Sequence, residues 1–332
     1  MEWKSPKQLK AGMTLGFVAP ASASSESLGT IELLCQAHGY GVVFGDSCYQ
    51  SGLYGGSPQE QAAELNNFLT NDSIDAVIAL RGGYGTMRYL DLLDYEGIRQ
   101  AAKAFVGYSD CTALHMAIQS KSRLITYHGP MGVDWCKSYD ADLAGSQKLQ
   151  ASYQEDLQSL FATLEGRLQV IEPLPEPPRG YIGTELGEGT LRGGNMTLLA
   201  MLAGTPYGLD ALGEKDLADT ILFLEEVGEA PYKLDRMLQQ LRLQGVLRLI
   251  KGIAFGSFQA CDGDEDEADY DIGYHALRYM EEGRDCEKRE PFVCYLPAGH
   301  GTPHHSLPLG GRVSFRYISN ALVVYPYFQR SE

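Results

Sequence analysis

Short apolar runs alternate with stretches of helical spacing along the first half of this chain. Residues 14–19, Thr-Leu-Gly-Phe-Val-Ala, read as a strand that ends in a polar loop. Apolar positions in 30–38 recur at helical intervals, and Gly39 stands where a C-cap belongs. A second strand is expected at 40–44. A helix is expected at 58–69, with Ala62, Ala63, Leu65, Phe68 and Leu69 on one side. Residues 76–80, Ala-Val-Ile-Ala-Leu, form a buried strand followed at once by Arg81-Gly-Gly-Tyr-Gly85. After a helix near 87–93, the strand Ala104-Phe-Val106 stops at Gly107 and the chain restarts as a helix with Leu114 and Ile118 inward. A further short strand is expected at 124–127. Such alternation predicts a mostly parallel sheet covered on both faces, with its ligand site at the carboxyl ends of the strands. Gly82, Gly83 and Ser109 all fall there.

The second half begins after a change of character. Residues 146–161 are helical but polar, and 172–179 hold four prolines within six residues, which no helix or central strand accommodates. The span 146–180 therefore reads as a linker between an N-terminal domain (1–145) and a C-terminal one (181–332). Beyond it, a helix is expected at 196–203. A buried strand follows at 220–224, ending at Glu225-Glu226. The stretch 232–243 is an amphipathic helix with Leu234, Met237, Leu238 and Leu241 on one side. A strand begins at 252–256, a helix spans 272–281, and 292–296 leads into Pro297-Ala-Gly-His-Gly301. The terminal stretch alternates (Val313, Phe315, Tyr317; Leu322, Val324), as antiparallel strands do.

A length of 332 residues is about right for two cores. The net charge of −16 disfavours nucleic acid and anionic membrane surfaces as partners. No run approaches the roughly 18 apolar residues of a membrane span. Seven cysteines without a C-x-x-C suit a reducing compartment. Lys4, Lys7 and Lys10 before an apolar stretch loosely imitate a signal peptide, but Gly12, Thr14 and Gly16 interrupt it, and a first strand is the better reading.

Three segments share one grammar: an apolar strand, then a turn carrying one reactive side chain. They end in Ser109, Glu225 and His300. Acyl transfer needs these residue types, because a serine hydroxyl attacks only when an imidazole takes its proton, and the imidazole needs a carboxylate on its other nitrogen. Bland readings stand beside each. Ser109 or Asp110 can be an N-cap. Only half of a G-x-S-x-G elbow is present, since Cys111 replaces the second glycine. His300, between two glycines, reads equally as structural or catalytic. His38, His128 and His275 read as structural. Arg81-Gly-Gly-Tyr-Gly85 lacks the third glycine of a dinucleotide loop and the Lys-Ser/Thr of a phosphate loop. It suits either an oxyanion hole or a plain tight turn. The acidic run 262–271 departs from EF-hand spacing, and His304-His305 lacks a third ligand for zinc. Cys111 is expected to pack inward rather than act as a nucleophile.

Taken together, Leu80-Arg-Gly-Gly-Tyr-Gly85, Phe105-Val-Gly-Tyr-Ser-Asp-x-Thr-Ala-Leu-His115, Arg192-Gly-Gly-Asn195, Leu222-Phe-Leu-Glu-Glu-Val-Gly-Glu-x-Pro-Tyr-x-Leu-Asp-Arg236 and Gly299-His-Gly301 resemble the LD-carboxypeptidase family of serine peptidases. The resemblance runs from residue 9 to about residue 311 in order. It implies an N-terminal mostly parallel α/β domain and a C-terminal α/β domain with a β-rich core, with the active site in the cleft between them. It implies Ser109 as nucleophile, Glu225 rather than Glu226 as orienting acid and His300 as base, with the backbone N–H groups of Gly83 and Asp110 as oxyanion hole. Arg81, Asn195 and Glu229 are the expected substrate contacts. In the family the position of Glu229 is acidic in muropeptide enzymes and basic in microcin C immunity proteins; alternatively, Glu229 serves only the start of the following helix. The implied activity is release of a C-terminal D-amino acid from a small peptide such as murein tetrapeptide, without metal or organic cofactor. The implied setting is a cytoplasmic homodimer. The runner-up is an immunity-type hydrolase of an aminoacyl-nucleotide toxin, and a non-catalytic sugar- or peptide-binding module is the alternative of another class.

Overall fold

The computed structural model describes residues 2–24, 28–167, 169–171, 185–263, 270–282, 291–316 and 322–324. The proline run 172–179, most of the acidic run 262–271, Cys286 and Tyr317 lie outside the described residues.

The first half supplies strands β1 (Thr14–Val18), β2 (Gly41–Phe44), β3 (Ala76–Ala79), β4 (Ala104–Gly107) and β5 (Thr126–His128). They pair in parallel in the order β5-β4-β3-β1-β2. The first expected strand is thus an inner strand of the sheet. The helices are α1 (Leu28–Ala37), α2 (Pro58–Thr70), α3 (Tyr95–Ala101), α4 (Thr112–Ser122), α5 (Gly132–Tyr139), α6 (Ala141–Ala144) and α7 (Gln147–Leu164). Helix α2 starts as its sequence dictates, with Pro58 in the first turn and a reciprocal capping box between Ser57 and Glu60. It crosses β1 closely: a Cβ on Gly16 would lie 2.7 Å from the Phe68 ring.

Two expectations here are corrected. The helix expected near 87–93 is instead a kinked 3₁₀ segment, Thr86–Leu92, followed by α3 behind an Asp94 cap. Tyr89 breaks the helix because its ring is buried and its hydroxyl reaches back to the Pro20 carbonyl, 2.6 Å away. The polar helix assigned to the linker is α7, and it packs into the first sheet's core. Leu157, Leu160, Phe161 and Leu164, at i, i+3, i+4 and i+7, form a buried stripe against Leu15, Phe17 and Trp135.

The second half supplies β7 (Glu185–Asn195), β8 (Thr220–Val227), β9 (Gly252–Gln259), β10 (Phe292–Tyr295), β11 (Leu307–Leu309), β12 (Arg312–Arg316) and β13 (Leu322–Val324), with β6 (Gln169–Ile171) joining from before the proline run. Its helices are α8 (Met196–Met201), α9 (Glu214–Ala218), α10 (Pro231–Leu243) and α11 (Ile272–Glu281). The sheet order is β10-β9-β8-β7-β12-β13-β6, parallel from β10 to β7 and antiparallel beyond. This is the expected second α/β body around a strand-rich core.

The halves interlock. Strand β11 returns to pair antiparallel with β5, so the second half closes the edge of the first sheet. At the start of α4, the Asn195 N–H donates to Thr112 Oγ1 at 3.0 Å. A Cβ on Gly194 would lie 2.5 Å from that oxygen, so the contact requires glycine. The joint sits three residues beyond Ser109.

Candidate active site

Ser109 occupies the turn between β4 and α4 with φ of +60°, a left-handed conformation that a serine adopts at a cost of order 1–3 kcal/mol. Such strain belongs to a strand-to-helix elbow that lifts the side chain off the sheet. Neither Ser109 nor Asp110 caps the helix through its side chain. Asp110 is instead clamped by Thr86, whose N–H donates to Oδ2 at 2.9 Å and whose hydroxyl donates to the Asp110 carbonyl at 2.7 Å. Burial pushes the Asp110 carboxyl upward, against the opposing pull of the Thr86 hydrogen bonds. Gly107 lets the elbow close, since a Cβ there would meet Cys111 Sγ at 2.9 Å. Cys111 points into the core, and burial raises its thiol far above the range in which a thiolate forms.

The loop after β3 faces this elbow. A Cβ on Gly82 would lie 2.9 Å from Ser109 Cβ and 3.2 Å from its Oγ. Gly83 has φ of +111° and backs onto Ser22 so closely that a Cβ would collide with the Ser22 side chain. Ser22 Oγ also accepts from the Tyr84 N–H at 3.1 Å, fixing the loop. Arg81 is half-buried and directs Nη1 at the Ala23 carbonyl, 3.4 Å away.

Glu225 and His300 meet from the second sheet: Nδ1 of His300 donates to Glu225 Oε2 at 2.6 Å. Glu225 is fully buried. The register of β8 against β9 shifts between Leu224 and Glu226, leaving room opposite Glu225. Gly256 and Gly299 fill that room without side chains; a Cβ on either would come within 3.0 Å of Glu225. Ser257 then ties the histidine loop down, donating its N–H to the Ala298 carbonyl at 2.7 Å and accepting from the Gly301 N–H at 2.8 Å. Burial pulls the pKa of His300 down, and the hydrogen bond and charge of Glu225, helped by Glu226 and Asp134, outweigh it. The net direction is up from 6.5. The Tyr108 ring, next to Ser109, meets the His300 ring edge-on at 5.0 Å, which brings the first-sheet elbow and the second-sheet pair together.

Glu226 turns the other way, as strand alternation requires. Its carboxylate accepts from Asn195 Nδ2 and the Thr197 N–H, both at 2.8 Å. The Asn195 side chain is buried, with Oδ1 capping α8 at the Leu198 N–H and Nδ2 held by Glu226. Glu229 lies before α10 and pairs with Lys233 at 2.7 Å across one helical turn. Thr86, Ser22, Ser257 and Tyr108 escaped sequence reasoning. Tyr108 alone carried a signal, its place beside the serine. Among the described residues, no group of three or more His, Cys, Asp or Glu side chains is arranged to hold a metal ion. Among them, too, no helix is long and apolar enough to cross a membrane.

Residues 15–129 match the LD-carboxypeptidase N-terminal domain and residues 188–315 the LD-carboxypeptidase C-terminal domain. The chain is 33% identical over 322 residues to a probable murein peptide carboxypeptidase of Bacillus subtilis, covering 96% of this chain and 93% of that protein. It is 32% identical over 302 residues to the murein tetrapeptide carboxypeptidase of Pseudomonas aeruginosa, covering 89% and 91%. Among solved structures, the muramoyltetrapeptide carboxypeptidase of Oxalobacter formigenes superposes with a TM-score of 0.75 at 27% identity, covering 95% of this chain and all (100%) of that one. The fold is shared as well by MccF in complex with glutamyl sulfamoyl guanosine, at a TM-score of 0.78 and 21% identity over 97% of this chain and 98% of that one.

Proposed function

The chain belongs to the LD-carboxypeptidase family and is a hydrolase with carboxypeptidase activity; from that premise we propose that it removes the terminal D-alanine of murein tetrapeptide through Ser109, Glu225 and His300. The observation that carries the residue assignment is the buried Glu225–His300 pair set against the strained Ser109 elbow.

In this reading His300 Nε2, the nitrogen not engaged by Glu225, takes the Ser109 proton as Oγ attacks the scissile carbonyl. The carbonyl oxygen becomes an oxyanion held by the N–H groups of Gly83 and Asp110. Collapse breaks the peptide bond, and His300 returns its proton to the departing amine of D-alanine. Water, deprotonated by His300, then attacks the acyl-serine and restores the hydroxyl. Glu225 keeps the imidazole in the required tautomer and offsets the charge of the imidazolium. Glu229 attracts the side-chain ammonium of a diaminopimelate residue, sharing its charge with Lys233. The acid at this position supports the muropeptide branch over the immunity branch, whose anionic linker it would repel. The absence of a disulfide among the described cysteines and the muropeptide substrate support a cytoplasmic, cell-wall-recycling role, and the family's habit supports a homodimer.

Incubation with purified muropeptides followed by mass analysis tests the substrate, and stoichiometric fluorophosphonate labelling of Ser109 separates an enzyme from a binding module.

A further inference from the structure

Tyr108 is buried among three imidazoles. Its ring meets His300 edge-on at 5.0 Å, His304 edge-on at 4.6 Å and His128 at 5.7 Å. Its hydroxyl reaches Asp134 Oδ1 at 3.4 Å. Asp134 is held in turn by the Met131 N–H at 3.1 Å and by Lys137 at 3.3 Å. Behind the ring, His304 Nε2 and His128 Nδ1 are 3.2 Å apart, and the His304 N–H donates to Asp156 Oδ1 at 2.6 Å. Burial lowers both imidazoles, His304 to about 3, so this backing is neutral at ordinary pH. The aromatic wall therefore carries no competing positive charge.

His300 needs such a wall. It stands between Gly299 and Gly301, and Gly299 has φ of +116°, so its neighbours offer the ring no side-chain support. Glu225 fixes one nitrogen, but a single hydrogen bond leaves an imidazole free to swing about it. An edge-on contact with a second ring fixes the plane. Tyr108 supplies that contact from the residue adjoining Ser109, so one side chain ties the base's orientation to the nucleophile's backbone.

We propose that Tyr108 is a positioning residue, whose ring holds the His300 imidazole against Glu225 with Nε2 toward Ser109. The assignment rests on the proposed roles of Ser109, Glu225 and His300. The ionisable groups facing His300 are Glu225 and Glu226 from β8, Asp134 from α5, Tyr108 after β4, His128 on β5 and His304 on its own loop.

The test measures kcat and KM for D-alanine release across the acid limb for the unmodified protein, Tyr108→Phe and Tyr108→Leu. Active sites are counted by endpoint fluorophosphonate labelling. Tyr108→Phe keeps the ring and should retain kcat within about threefold. Tyr108→Leu should lose about 30-fold or more in kcat per labelled site with KM within about twofold. Its acid-limb midpoint should shift downward, because a ring that leaves Glu225 loses what raises its pKa. Tyr108→Met, which keeps bulk in the pocket, serves the same comparison if the leucine variant does not fold. An unchanged midpoint and kcat per labelled site in the leucine or methionine variant would overturn the proposal, as would a phenylalanine variant as impaired as either. His300→Ala separates the two levels. If it is inactive while Tyr108→Leu is normal, only the positioning role falls. If it remains active, the residue assignment falls and takes this proposal with it.

Discussion

His300 Nδ1 lies 2.6 Å from Glu225 Oε2, and the carboxylate has no exposure to solvent. A buried anion beside an imidazole stabilises the imidazolium, which is why the His300 pKa is raised from 6.5 despite burial. In the proposed mechanism His300 must be neutral to accept the serine proton, so kcat/KM should fall as pH drops through that raised value. Glu225→Gln removes the pull of the carboxylate and leaves the burial. Its acid-limb midpoint should lie below that of the unmodified protein, with kcat reduced by about three to four orders of magnitude. A pH–rate profile of both proteins checks this, and an unchanged midpoint would count against the pairing as the source of the shift.

Gly83 lacks room for a side chain, and its φ of +111° disfavours any other residue. Gly83→Ala should displace the loop from Ser22 and move its N–H off the proposed oxyanion position. We expect a loss of about 10²-fold in kcat from one misplaced donor, with KM little changed. A variant that is destabilised but turns over normally per folded molecule would make the loop a plain tight turn.

Glu229→Gln bears on substrate choice. The acid already pairs with Lys233 at 2.7 Å, so a substrate ammonium joins an existing ion pair rather than a lone charge. The substitution should lower kcat/KM for the diaminopimelate tetrapeptide by about tenfold to a hundredfold, about 1.4–3 kcal/mol, and much less for a peptide lacking that amine. Equal losses on both would assign Glu229 to the start of α10. Robust cleavage of an aminoacyl-sulfamoyl nucleotide by the unmodified protein would move the chain to the immunity branch.

Cys35, Cys48, Cys111, Cys136, Cys261 and Cys294 are buried, and none of them is joined in a disulfide. Thiol titration under denaturing, non-reducing conditions should find all seven cysteines of the chain free. A native intramolecular disulfide would argue for an oxidising compartment instead.

The parallel sheet of the first half was legible because β1 to β4 are short, mainly apolar runs; β5, Thr126–His128, is not one. That Glu225 and Glu226 point to opposite sides was legible from strand alternation, and the structure places Glu225 beside His300 and Glu226 beside Asn195. Tyr89 was not, because its departure from helical geometry is imposed by a contact with Pro20, remote in sequence. Helix α7 was misread because its overall polarity hides a four-residue stripe, and its partner strand lies over 130 residues away. The pairing of the Asn195 amide with Glu226 was not legible, because only the closed sheet brings the two side chains together. Ser257 and Thr86 act by hydrogen-bonding backbone from afar, and no local spacing announces that role.

In the proposed function Ser109 attacks the bond to a terminal D-alanine. The most direct test incubates murein tetrapeptide with the unmodified protein and with folded Ser109→Ala, and follows released D-alanine by mass analysis. We predict release of a single D-alanine by the unmodified protein and a kcat lower by about three orders of magnitude or more in the variant. No release by the unmodified protein would rule out this substrate, and near-normal turnover by folded Ser109→Ala would rule out Ser109 as the nucleophile.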